Sequence, residues 1–211
     1  MTVNHWRIGR NGFMKNNNSA ELLFGNQDIK VINPGTTVNE SDINSLERKL
    51  GIQLPPRLRS YYLHWNGGLP CLVEMALSKS VWIRLFWNKD AKASTSGPAA
   101  DLNGLFEINS TPGMDFYRTW NDFKDRIPHD LLCFARNSGG SLFLIGIKEF
   151  NLGKIFFWDR DYEADIDAGE ISNYDNIAFV ANSFTEFLLA LREEPNKGES
   201  LADWVKRVYP E

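Results

Sequence analysis

Cysteine is nearly missing from this chain, with two among 211 residues, and histidine is almost as rare, with three. No Cys-x-x-Cys or His-x-x-x-His spacing occurs, so neither a metal centre nor another cofactor is expected. Cys71 and Cys133 each sit among apolar neighbours, in Cys71-Leu72-Val73 and Leu131-Leu132-Cys133-Phe134. Two buried free thiols are the expectation there, although a disulfide stays compatible with the sequence. Long apolar runs are also lacking. The longest, Leu142 to Ile147, is interrupted by Gly146 and is strand-sized, far short of the roughly 18 residues that a membrane-spanning helix needs. Met1 to Arg7 has no continuous apolar core of the secretory kind, so a cytoplasmic location is expected. Nor is there an excess of positive charge: 23 basic against 27 acidic residues leave a net charge of −4, which argues against direct nucleic-acid binding.

A catalytic constellation is missing as well. His129 and Cys133 are close in sequence, but His129 follows Pro128 in a turn while Cys133 lies in an apolar strand that raises a thiol pKa. A surface histidine and a core thiol are the expectation. His5 and His64 are too scattered to join them, so the chain is not expected to be an enzyme.

What is abundant is apolar and aromatic material. Hydrophobic residues make up 43% of the chain, with 14 Phe and 7 Trp, enough for one packed core. Asn39 and Asp42 open a helix whose inward face is Ile43, Leu46 and Leu50, and Gly51 stops it. Pro55 and Pro56 start a second helix carrying Leu58, Tyr61, Tyr62 and Trp65, with Asn66-Gly67-Gly68 read as its C-cap. Ser80 to Trp87 alternates as a strand, and residues 88–104 read as a long loop. Met114 to Arg126 predicts a helix with Phe116, Trp120 and Phe123 inward. Three strand-like runs follow, Leu131–Ala135, Leu142–Ile147 and Ile155–Trp158, joined by Asn- and Gly-bearing turns as in an antiparallel meander. A short apolar run from Ile177 to Val180 precedes a helix capped by Ser183 and Glu186, and Leu201–Val208 predicts a last helix. Before these elements one strand is expected, at Leu22-Leu23-Phe24 or at Ile29–Ile32. Helices flanking a block of sequential strands predict an α+β fold: a single domain with a mostly antiparallel sheet flanked by helices. The division expected is a partly ordered arm over 1–38, the domain over 39–192, and a C-terminal helix packed on it within 193–211.

Four stretches resemble the SUKH superfamily, which includes the yeast cell-wall glucan-synthesis regulator and many bacterial toxin-immunity proteins. They are Ile43 to Gly51; Leu54-Pro55 with Tyr61 to Gly68; Ile127-Pro128 through Leu132 to Ala135 and on to Ile147; and Ile177 to Leu188, with its Ser183-Phe184-Thr185-Glu186-Phe187-Leu188. The turn Asn137-Ser138-Gly139-Gly140 departs from the pattern, since many members carry an acid before the glycine. The resemblance implies a protein that works by binding: an immunity protein that neutralises a cognate protein toxin, or else a regulatory scaffold for endogenous partners. Neither membrane nor nucleic acid is an expected partner.

Charge is concentrated in one place. Asp159, Asp161, Glu163, Asp165, Asp167 and Glu170, with Arg160 as the lone base, give this segment a local net charge of −5, leaving the rest of the chain at about +1. As a binding surface, it would mimic the phosphates expected by a basic toxin and steer association. Its plainer reading is a solvated loop. The acids alternate as in a calcium loop, but Ala164 stands where the required glycine would be. Trp82, with Arg84 and Phe86, is the second candidate contact: an exposed aromatic patch if that sheet face is open, a buried one if a helix covers it.

Overall fold

Local chemistry fixes the ends of the first helices. The computed structural model describes residues 29–76, 78–89, 91 and 96–210. Helix α1 (Glu40–Leu50) begins at Asn39, whose side-chain oxygen accepts the Ser41 and Asp42 N–H groups at 2.8 and 3.2 Å. The Asp42 carboxylate accepts the Asn39 N–H at 2.9 Å, which completes a capping box. Gly51, at φ 69°, takes the left-handed conformation that ends the helix. Ile43, Leu46 and Leu50 form its buried face, as the spacing predicts. Helix α2 (Pro56–His64) starts on the two prolines and buries Leu58, Tyr61 and Tyr62.

The central sheet is the meander. Strands β5 (Gly104–Leu105), β6 (Leu131–Arg136), β7 (Leu142–Gly146), β8 (Ile155–Trp158) and β9 (Ile177–Ala181) lie side by side in that order, all antiparallel. Directly opposed residues share a face. Phe143 and Phe157 therefore point to one side, where helix α4 (Phe184–Leu189) brings Phe184 and Phe187 against Phe134 and Phe143. Leu144, Phe156 and Trp158 point to the other, which helix α3 (Phe116–Phe123) partly covers; Phe123 meets Trp158 at 5.8 Å. The result is an α+β fold with a large core about this sheet and a small separate cluster of Ala99, Trp204 and Val205.

Two smaller sheets complete it. Strand β1 (Ile29–Ile32) pairs with β2 (Leu69–Leu72), which makes Ile29–Ile32 the early strand; Leu22 to Phe24 lies outside the described residues. Strand β3 (Val81–Arg84) sits between β10 (Arg192–Glu193) and β4 (Ala99–Leu102). Residues 88–104, expected as loop, thus contain β4 and open β5. Small alanines at 99 and 100 give β4 no strand-like periodicity, but both are buried. Helix α3 is shorter than Met114–Arg126, because Asp115 caps it by accepting the Arg118 N–H. Helix α5 (Leu201–Val208) has the bounds expected and packs the fully buried Trp204 on the β3–β4 sheet. No helix among the described residues is long and apolar enough to cross a membrane.

Asn66 is not the cap of α2. That role falls to Trp65, in an extended conformation. Asn66 is instead a buried cross-link: its amide donates to Thr36 and Ile108 carbonyls, both at 2.9 Å, and its oxygen accepts the Ile108 N–H at 2.7 Å. Gly67 and Gly68 follow at positive φ, where a Cβ would strike Phe106 and Ile32 carbonyls respectively.

Candidate protein-docking surface

The acidic segment between β8 and β9 is fastened to the molecule at three points. Asp159 is buried at 5% exposure; its carboxylate accepts the Ser96 hydroxyl and the Asp161 N–H, and its carbonyl accepts the Asn176 amide at 2.7 Å. Glu163 forms a two-pronged pair with Arg126, at 2.7 and 2.6 Å, and that guanidinium lies 4.5 Å from the Phe123 ring and 5.7 Å from the Trp158 ring. Tyr174 donates its hydroxyl to Asp130 and sets its ring 6.4 Å from Phe156. Burial and the Asp130 carboxylate push the Tyr174 phenol well above its usual range, so it remains a donor.

Two of the six expected contact acids, Asp159 and Glu163, therefore hold the segment in place. Asp161, Asp165, Asp167 and Glu170 stand in solvent. Between the fastenings, the tip folds on itself. The Asp165 carboxylate accepts the Ala168 N–H at 3.0 Å, Glu170 accepts the Asp165 N–H at 2.9 Å, and the Glu170 N–H donates to the Asp165 carbonyl at 3.0 Å. Exposed apolar side chains alternate with the acids: Tyr162, Ile166, Ile171 at 82% exposure, and Tyr174. These four were not singled out from the sequence, although their spacing within the acidic run is visible there. Arg126, forty residues from the segment's centre in the chain, carried no sequence signal of its role.

Trp82 does not join this surface. It lies partly buried beneath α5, with its ring 6.2 Å from Trp204. Of the patch expected around it, Phe86 is the exposed member, at 44%. Arg84 lies with its guanidinium 4.5 Å from the Phe86 ring.

Cys71 and Cys133 are free and buried, and burial pushes the Cys133 thiol up to about 12. His129 is exposed on the rim of a cavity of about 180 Å³ floored by Leu50, Ile52, Trp120 and Leu131. Burial lowers the His64 pKa. Among the described residues, no three His, Cys, Asp or Glu side chains converge as metal ligands would.

Similarity to known proteins follows the order of the elements. The chain is 26% identical over 187 residues to the SPbeta prophage-derived uncharacterized protein YokK of Bacillus subtilis (strain 168), a stretch covering 82% of this chain and 83% of the relative. The model of the SMI1 / KNR4 family (SUKH-1) matches residues 37–190, a span that includes the Asn39 cap, the Asn66 cross-link, the meander and the Ser183 cap. This chain belongs to the SMI1 / KNR4 family (SUKH-1).

Proposed function

We propose that this chain is an immunity protein that binds and neutralises a cognate protein toxin by direct contact, with the acidic segment as its steering surface. The carrying observation is the division of labour within that segment. Asp159 and Glu163 are spent on fastening it, whereas Asp161, Asp165, Asp167 and Glu170 face solvent on a tip already ordered by its own hydrogen bonds. A pre-ordered acidic surface attracts a basic partner and loses little conformational freedom on binding. A basic surface is what a nuclease-type toxin presents to phosphates. Family membership supports a role in binding, and the prophage origin of the Bacillus relative supports the bacterial immunity branch over a regulatory scaffold.

The test leaves the fastening residues alone. Asp161, Asp165, Asp167 and Glu170 are changed together to Ser, and the full chain is used as bait in lysate of its native host across a salt series. The wild-type chain is expected to retain one dominant basic protein that is released as salt rises. The variant is expected to associate about 10- to 100-fold more slowly with that protein and to protect less well when the two are co-expressed. Unchanged protection by a folded variant overturns the assignment of this surface. Several unrelated partners in place of one would favour the regulatory scaffold.

A further inference from the structure

The face of the central sheet that carries Trp158 is covered unevenly. A row of opposed residues crosses it in the order Cys133, Leu144, Phe156, Phe179 and Phe86. The last step is a bridge between sheets, with Phe86 N–H donating to the Phe179 carbonyl at 2.9 Å and Phe179 N–H to the Phe86 carbonyl at 3.0 Å. Burial falls along the row. Cys133 and Leu144 are fully covered, Phe156 and Phe179 are half-buried, and Phe86 is 44% exposed. Tyr174, equally exposed, extends the row from Phe156. The ring centroids of Tyr174, Phe156, Phe179 and Phe86 succeed one another at 6.4, 6.1 and 6.1 Å. Four touching aromatic rings thus form an open strip. On one side α5 covers Trp82; on the other the Arg126–Glu163 pair covers Trp158, two residues along β8 from Phe156.

An open aromatic strip on a sheet loses hydration favourably only when something covers it, and clustered aromatic side chains are the usual anchors of protein interfaces. Charge identifies the cover. The border along Trp158 and Tyr174 is the acidic segment, whose exposed acids Asp161, Asp165, Asp167, Glu170 and Asp175 favour a cationic neighbour. The rings also accept a guanidinium: Arg84 already lies 4.5 Å from Phe86.

We propose that the strip of Phe86, Phe179, Phe156 and Tyr174 is the anchor of the interface, and that its occupant is a ridge of arginine and aliphatic side chains on a basic protein. This rests on the reading of the acidic segment as a steering surface, and adds to it. The acids set how fast the partner arrives; the strip sets how long it stays.

The probe is a pair of synthetic dodecapeptides of equal positive charge, one alternating Arg and Leu, the other Lys and Ser. Each is titrated into the full chain labelled with 4-fluorophenylalanine and followed by fluorine NMR, with resonances assigned through Phe86→Leu, Phe156→Leu and Phe179→Leu. The Arg–Leu peptide is expected to shift the Phe86 and Phe179 signals and to bind about tenfold more tightly than the Lys–Ser peptide. Phe86→Ser, at an exposed position, is expected to remove that advantage, and Phe86→Tyr to keep it. Equal affinity for both peptides with unmoved Phe86 and Phe179 signals overturns the strip as anchor. If that common binding is lost in the variant with Ser at 161, 165, 167 and 170, the steering surface still stands. Binding of neither peptide overturns both.

Discussion

Replacing Asn66 with Ala tests whether this side chain is the cross-link that its contacts describe. The wild-type amide satisfies the N–H and the carbonyl of Ile108, both in the core, and the carbonyl of Thr36, which is exposed. Water can reach Thr36 in the variant. Among the described residues neither Ile108 group has another partner, and each buried polar group left without one costs about 1–3 kcal/mol. The expected loss is about 4 kcal/mol, a large share of the roughly 5–15 kcal/mol that stabilises a folded domain. At this chain length that corresponds to a fall in Tm of about 10 °C. Urea unfolding followed by tryptophan fluorescence measures it directly, and the midpoint is expected to drop with the slope unchanged. Asn66→Asp keeps an acceptor for the Ile108 N–H but turns an oxygen toward two carbonyls, so it is expected to be no better than Ala. A loss below about 1 kcal/mol for either variant would show that the three hydrogen bonds are replaceable, and the reasoning would fail.

Three further outcomes follow from the packing and the charges. A Cβ at Gly146 would lie 2.0 Å from the Asn151 carbonyl oxygen, inside a turn closed by two backbone hydrogen bonds of 2.9 Å to Gly153 and Lys154; Gly146→Ala is expected to lose about 3 kcal/mol in thermal unfolding, and an unchanged Tm would refute the close approach. Arg207, and then the Asn196 N–H, hold the Glu199 carboxyl at about 2 against an ordinary 4.5, so its contribution to tying α5 to the turn at 196–199 is present above 4.5 and lost as pH falls toward 2. Acid titration monitored through the Trp204 environment is expected to show that loss, and Glu199→Gln to flatten it. Glu163→Gln weakens the pair with Arg126 while leaving the strands intact; faster amide hydrogen exchange confined to residues 160–175 is expected, and exchange spreading into β7 would contradict the division between segment and sheet.

The parts of the fold written in periodicity and caps were legible in the sequence. Asn39, Gly51, Ser183 and the apolar run Leu142–Ile147 each act locally, so their neighbours in the chain suffice to read them. Strand β4 was not legible, because Ala99 and Ala100 owe their burial to α5 and the core, over a hundred residues away for Trp204. Strand β2, with Pro70 in its interior, has the same cause: its partner β1 is forty residues earlier. At the candidate site the charge was legible and its uses were not. Six acids look alike in a run, yet Asp159 meets Ser96 and Glu163 meets Arg126 only once the chain is folded. Trp82 and Phe86 likewise share a strand face by alternation, and only the position of α5 decides which of them is covered.

The three fastenings of the acidic segment are side-chain contacts at its two ends, and the tip between Glu163 and Tyr174 is closed by its own turns. No strand of the central sheet takes its register from residues 164–173. Those ten positions therefore behave as a cassette: they can be rewritten in sequence while the frame that displays them keeps its stability. Substitutions there alter the displayed surface and leave the register of β8 and β9 untouched.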